Sequence, residues 1–146
     1  MLKFCSLYSG SSGNSLFVSS NNTNILIDAG VSAKKITEAL TSINVDVTKI
    51  DAILVTHEHI DHVQSLGFLS KKYDIPVFAN SNTWDAMPKQ KEKVKFENQK
   101  FFVNSESFEI GDLKIHPFDI PHDAANPCGF NIFNDNTKIS IATDIG

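Results

Sequence analysis

Ile50-Asp51-Ala52-Ile53-Leu54-Val55-Thr56-His57-Glu58-His59-Ile60-Asp61-His62 is the stretch on which the reading of this chain turns. Its first six residues form an apolar run of the length of a short buried strand. The run ends in His57-x-His59-x-Asp61-His62, which puts three imidazoles and an aspartate within six residues. Such groups are poor neighbours in a core, because each must be desolvated, and a divalent cation compensates that cost readily. Loops leaving the end of a strand are also where scaffolds carry chemistry. In an extended loop, residues two apart face the same way, so His57 and His59 converge on one ion. Asp61 and His62 follow closely enough to serve a second. Two ions ~3.5–4 Å apart clamp in-line displacement at phosphoryl or acyl centres. The pattern points to a metal-dependent hydrolase.

Working outward toward the N-terminus, Asn24–Asp28 reads as a strand ending in a carboxylate, followed by Gly30. Ser32 is a candidate N-cap for a helix over Ala33–Ile43, with Ile36, Ala39, Leu40 and Ile43 on one face. Leu2–Tyr8 and Ser15–Ser19 read as strands joined by Ser9-Gly10-Ser11-Ser12-Gly13-Asn14. Downstream of the cluster, Val63–Tyr73 reads as a helix with Val63, Leu66, Phe68 and Leu69 inward. A strand over Ile75–Phe78 and a short helical piece over Thr83–Met87 follow. The remainder is strand-rich, with strands at Phe101–Val103, Ser107–Ile110, Leu113–Ile120, Gly129–Phe133 and Lys138–Thr143. The phenylalanines fall mostly at strand positions such as Phe17, Phe78, Phe108, Phe118 and Phe130 and read as core.

Composition bounds these expectations. One hundred and forty-six residues, 41% apolar and 21% charged, suit a single domain with a real core. A formal net charge of −4 argues against a general nucleic-acid coat without excluding an enzyme that meets nucleic acid through metal ions. Lys89, Lys91, Lys93, Lys95 and Lys100 form a local basic excess that reads first as a solvated face. Cys5 and Cys128 make no disulfide framework and read as buried thiols. His116 reads as a partly buried strand histidine. No stretch resembles a signal peptide or approaches the ~20 apolar residues of a membrane span, so the expected location is cytoplasmic, with no membrane partner.

Three distant residues share one feature: each follows a predicted strand. Asp28 ends Ile25-Leu26-Ile27, His122 follows Phe118-Asp119-Ile120-Pro121, and Asp144 follows Ile139-Ser140-Ile141-Ala142-Thr143. Singly, the aspartates read equally well as turn or cap residues, and His122 as a loop histidine. Convergence with the cluster favours a site built from several strand ends.

Asp28, His57-x-His59-x-Asp61-His62, His122 and Asp144, in that order, resemble the first four motifs of the metallo-β-lactamase superfamily. The resemblance implies an α+β fold, an αβ/βα sandwich of which this chain holds the N-terminal half to two-thirds. It implies that His57, His59 and His122 hold one divalent ion, that Asp61 and His62 hold a second, and that Asp144 bridges them. Asp28 would orient the cluster from behind. The nucleophile would be a hydroxide held by the metals beside Asp61 and His62, with zinc, manganese or iron as the ions. The Leu7–Ser15 and Ile120–Phe130 segments further resemble the YycJ/WalJ-type bacterial proteins, a group regarded as 5′-to-3′ DNA exonucleases. DNA is then the expected substrate, with Ser11, Ser12, Gly13 and Asn14 as a loop whose backbone N–H groups meet the phosphodiester.

One departure stands out. The family's fifth motif, a late histidine, has no counterpart, since no histidine follows His122. The expectation is therefore a single metallo-β-lactamase-like domain over 1–146, truncated after the fourth motif. Two other readings stay open. One is an ester or thioester hydrolase of the glyoxalase II or lactonase kind. The other is an inactive half-domain that pairs with a partner chain or self-associates through its incomplete sheet.

Overall fold

Ile25-Leu26-Ile27 and Ala52-Ile53-Leu54 have no polar alternation, and strands of this kind need cover on both faces. In the computed structural model, which describes residues 2–142, they receive it. Strands β1 (Lys3–Tyr8), β2 (Ser15–Ser19), β3 (Asn24–Ile27), β4 (Ala52–Leu54), β5 (Val77–Asn80) and β6 (Gln99–Phe102) form a sheet in that spatial order. The first three pair antiparallel, and β3 to β6 run parallel. Strands β7 (Phe108–Ile110), β8 (Leu113–Asp119), β9 (Cys128–Asn134) and β10 (Thr137–Ile141) form an antiparallel sheet in the order β10-β9-β8-β7.

The period of two in a strand divides the core between these layers. Leu26, Ile53 and Val77 pack with Ile36 and Leu40 of α1 (Ala33–Ser42) and with Trp84 of α4 (Ser81–Ala86). Leu66 and Leu69 of α3 (Leu66–Tyr73) join the same cluster. Ile25, Ile27, Ala52 and Leu54 face the other way, onto Ile115, Phe130 and Ile132 of the second sheet. Helices, mixed sheet and antiparallel sheet thus stack as successive layers of the αβ/βα sandwich. Trp84 is sealed in the helical layer, its indole Nε1–H donating to the Lys100 carbonyl at 2.8 Å.

Ser32 caps α1 as expected, its hydroxyl accepting from the Lys35 N–H at 3.2 Å. The helix expected over Val63–Tyr73 is instead two, α2 (Ile60–Val63) and α3, separated at Gln64 and Ser65. The break has a cause in the backbone. The His62 carbonyl accepts from Ala29 N–H at 2.8 Å, and Ser65 N–H donates to the Ala29 carbonyl at 3.0 Å. These bonds stitch the chain to the β3 end rather than to the next helical turn. Phe68, expected inward, is 52% exposed. It lies two residues, about 200° of helical rotation, from the buried Leu66, and so on the opposite face. Phe4, Phe96 and Phe101 are exposed as well, and Phe118, expected in the core, is half-buried and outside both core clusters. Cys5 is half-buried rather than buried. The lysine-rich segment contains an unanticipated helix, α5 (Pro88–Lys93), with proline at its first turn and Gln90 turned inward onto the Gly67 N–H at 2.9 Å.

Candidate metal centre

Parallel pairing puts the C-terminal ends of β3 and β4 side by side, so Asp28 and the segment from Thr56 to His62 leave the sheet together. Asp28 is buried, with φ of 66°, a left-handed conformation that aspartate tolerates better than most residues. That conformation turns its carboxylate back onto the neighbouring strand end. Oδ1 accepts from Thr56 N–H at 2.8 Å, and Oδ2 from the Thr56 hydroxyl at 2.7 Å. Oδ2 also lies 2.7 Å from His62 Nδ1.

These contacts set the proton positions on two imidazoles. A carboxylate accepts only, so His62 Nδ1 carries the proton and its Nε2 presents a lone pair. The Thr56 hydroxyl spends its hydrogen on Asp28, so its oxygen accepts from His57 Nδ1 at 2.9 Å. The Nε2 of His57 is then likewise a lone-pair donor. Burial, reinforced by the nearby His62 and opposed by Asp28, lowers the His57 pKa to about 4. Its imidazole is therefore neutral, the form that ligates a metal.

His57, His59 and His122 converge, each offering a ring nitrogen, with all three atoms within 4.8 Å of one another. The rings of His57 and His59 are 4.7 Å apart, and that of His122 is 4.8 Å from His57 and 5.0 Å from His59. His122 Nε2 is buried without a hydrogen-bond partner among the described residues. Three converging ring nitrogens, with the His57 imidazole neutral and a buried His122 nitrogen lacking a hydrogen-bond partner among the described residues, fit a divalent ion. Asp61 and His62 lie beside it on α2 rather than in an extended loop, with Asp61 Oδ2 3.8 Å from His62 Nε2. Asp144 lies outside the described residues.

The Ser9–Asn14 loop packs directly on this segment. Asn14 N–H donates to the Asp61 carbonyl at 2.8 Å, and Gly30 N–H to the Asn14 carbonyl at 2.8 Å. Glycine is required at both contacts. A Cβ on Gly30 would fall 1.7 Å from the Asp61 oxygen, and one on Gly13, whose φ is +147°, 2.3 Å from Val31. The expectation that the loop turns its amides outward needs correction at Gly13 and Asn14, and the neighbouring Gly10 amide is committed too. Gly10 N–H donates to Asn14 Oδ1 at 3.1 Å, Gly13 N–H to the Gly10 carbonyl at 3.2 Å, and Asn14 N–H is already committed. Ser11 and Ser12 are exposed at its tip.

His122 comes from the other side, on the segment between β8 and β9. Glu58, which the histidine pattern leaves unassigned, holds that segment by accepting from Ala125 N–H at 3.0 Å. Asn80, at the end of β5, donates to the Asn126 carbonyl at 2.8 Å. Asn104 bridges Asp119 at 2.7 Å and Asn126 at 3.1 Å. Beneath them Cys128 N–H donates to the Thr56 carbonyl at 3.0 Å, tying the two sheets together under the histidines. Burial, with the charges of Asp28 and Asp119, pushes the Cys128 thiol far up, so it stays protonated. His116 is remote from the cluster in role, its Nδ1 paired with the Ser107 hydroxyl at 2.9 Å. Thr56, Glu58 and the Asn14 side chain carry no sequence signature, because ordinary caps and turns use the same residue types.

The family model described as the metallo-beta-lactamase superfamily matches residues 8–144. Exodeoxyribonuclease YycJ of Bacillus anthracis is 37% identical over 145 residues, covering 99% of this chain and 55% of that protein. Exodeoxyribonuclease WalJ of Streptococcus pneumoniae D39 is 39% identical over 146 residues, with 99% and 54% coverage. The chain spans about half the length of these curated relatives. Among solved structures, the class B3 di-zinc metallo-beta-lactamase LRA-12 from an Alaskan soil metagenome superposes with a TM-score of 0.72 at 18% identity. That match covers 90% of this chain and 58% of LRA-12.

Proposed function

This chain belongs to the metallo-β-lactamase superfamily, and from that premise we propose that it carries the metal-binding part of a hydrolase that cleaves phosphodiesters as a 5′-to-3′ DNA exonuclease. The convergence of His57, His59 and His122 carries the metal part of this reading. Similarity to two exodeoxyribonucleases along almost the whole chain supports the substrate class. His57, His59 and His122 would hold one ion and Asp61 and His62 a second, with Asp144 as a further carboxylate ligand. The imidazole share suits zinc or iron, and the carboxylates admit manganese. Divalent ions bound there supply an activated water as nucleophile and neutralise charge on the phosphoryl oxygens.

The chain's own residues do the preparatory work. Asp28 holds the proton on His62 Nδ1 and takes the Thr56 hydroxyl hydrogen. Thr56 in turn holds the proton on His57 Nδ1. Two Nε2 lone pairs are thereby directed inward before any ion arrives, which lowers the cost of binding. The exposed Ser11 and Ser12 border the same end and serve the backbone of a DNA strand. No described helix is long and apolar enough to cross a membrane; a cytoplasmic location belongs to this reading, supported by the exodeoxyribonuclease relatives.

Asp61→Ala in the full-length protein is expected to abolish metal-dependent digestion of 5′-phosphorylated duplex DNA. Digestion that survives this change overturns the reading. Elemental analysis of chain purified without chelators tests the ion count independently, with about two metals per chain expected.

A further inference from the structure

The Asn14 side chain occupies an unusual place. Its Nδ2 lies 3.2 Å from His62 Nε2, 3.3 Å from the Asp61 carbonyl oxygen and 3.4 Å from Asp61 Oδ2, so the one hydrogen not given to Gly10 is shared among these three acceptors. The orientation of the carboxamide is fixed by a reciprocal pair with Gly10. Gly10 N–H donates to Asn14 Oδ1 at 3.1 Å, and Asn14 Nδ2 donates to the Gly10 carbonyl at 2.9 Å. A flipped amide would set oxygen against carbonyl oxygen and nitrogen against N–H. So the NH2 end faces Asp61 and His62. Because Asp28 accepts the proton of His62 Nδ1, the Nε2 lone pair is an acceptor for Asn14.

These two acceptor atoms, Asp61 Oδ2 and His62 Nε2, are the ones assigned above to the second ion. A donor NH2 group and a cation compete for the same lone pairs. We propose that Asn14 is a stand-in for that second ion: it holds Asp61 and His62 in their ligating posture and must release them when the ion arrives. The inference rests on the two-ion reading.

Three consequences follow from the geometry. His57, His59 and His122 are not touched by Asn14 in any of these bonds, so the three-histidine position fills first. The second position fills more weakly than its ligands alone would allow. Release breaks the Asn14–Gly10 pair, so uptake of the second ion loosens the Ser9–Asn14 loop. The main chain of Asn14 does not have to move, being pinned to Asp61 and Gly30 by its own N–H and C=O.

Preorganisation argues for the opposite sign, since removing Asn14 also frees Asp61. It is the smaller effect here. His62 stays fixed by Asp28, and Asp61 stays fixed by α2 and by the Asn14 main-chain bond that any substitution retains.

The test is calorimetric titration of metal-free chain with zinc, for wild type, Asn14→Ala and Asn14→Asp. Removing the competing donor in Asn14→Ala is expected to tighten the second step about tenfold, the worth of roughly one net hydrogen bond to a charged group, with the first step unchanged. Asn14→Asp keeps the acceptor for Gly10 N–H and replaces the donor by a ligand oxygen. It is expected to tighten the second step further while lowering the melting temperature of the metal-free chain, since two carboxylates then face each other. A residue that merely braced the loop would lower stability without tightening any zinc step. Second steps that are unchanged or weaker in both variants overturn the inference. Uptake of no second ion by wild type or either variant overturns instead the two-ion reading on which it stands. Asn14→Ser takes the place of the alanine variant if that variant does not fold.

Discussion

The two arms of the site are held in opposite ways. The arm running from Thr56 to His62 is fastened from behind by a buried carboxylate whose two oxygens accept three hydrogen bonds. Thr56, His57 and His62 are fully buried. The arm carrying His122 is half-exposed and held from its flanks, by Glu58 at Ala125 and by Asn80 and Asn104 at Asn126. One arm is part of the core and the other is moored to it. A site built this way has the His57 and His62 rings preset by Thr56 and Asp28 and the His122 ring on the more loosely held arm, so ion affinity and fold stability are separable properties.

That contrast is open to attack, beginning at its stronger side. Asp28→Ala strands three buried donors, at Thr56 N, Thr56 Oγ1 and His62 Nδ1. It is expected to cost about 3–5 kcal/mol in chemical denaturation, since losing one partner of a buried charged network leaves the others unpaired. A loss below about 1 kcal/mol would mean that the carboxylate is not the fastening.

His122→Ala should invert the pattern. Metal-free stability is expected to stay within about 0.5 kcal/mol of wild type. Zinc affinity should fall by more than the ~10–100-fold that loss of an outer hydrogen-bond partner causes. Equal losses of stability and affinity would erase the distinction between the arms.

Glu58→Ala removes one mooring bond and should cost about 1 kcal/mol. It should also speed amide exchange at Ala125 while leaving that at Thr56 unchanged. Slow exchange at Ala125 in the variant would place the mooring elsewhere. Phe68→Ser, on the outward face of α3, is the smallest expected change, within about 0.5 kcal/mol. A loss of several kcal/mol there would restore Phe68 to the core and unsettle the helical layer.

Legibility in the sequence follows the same division. The strands ending at Asp28 and Thr56 are readable because burial on both faces demands unbroken apolar runs. The histidines that follow are readable because imidazoles crowded at a strand end are costly to desolvate unless a cation binds them. The break between α2 and α3 is not readable. It depends on backbone bonds to Ala29, and backbone groups are the same in every residue. Phe68 misleads for a related reason: a short apolar run fits several helical faces until the helix start is known. The role of Glu58 and the contact of the Asn14 carboxamide are legible only in space, because each acts on a residue some fifty to seventy positions away.

Trp84 has a practical corollary. It is the chain's single tryptophan, and it sits entirely within the helical layer, bonded to the Lys100 carbonyl. Its emission therefore reports the melting of that layer. Unfolding and ion uptake can be followed in one cuvette as two signals, intrinsic fluorescence for the first and a chromophoric metal indicator for the second.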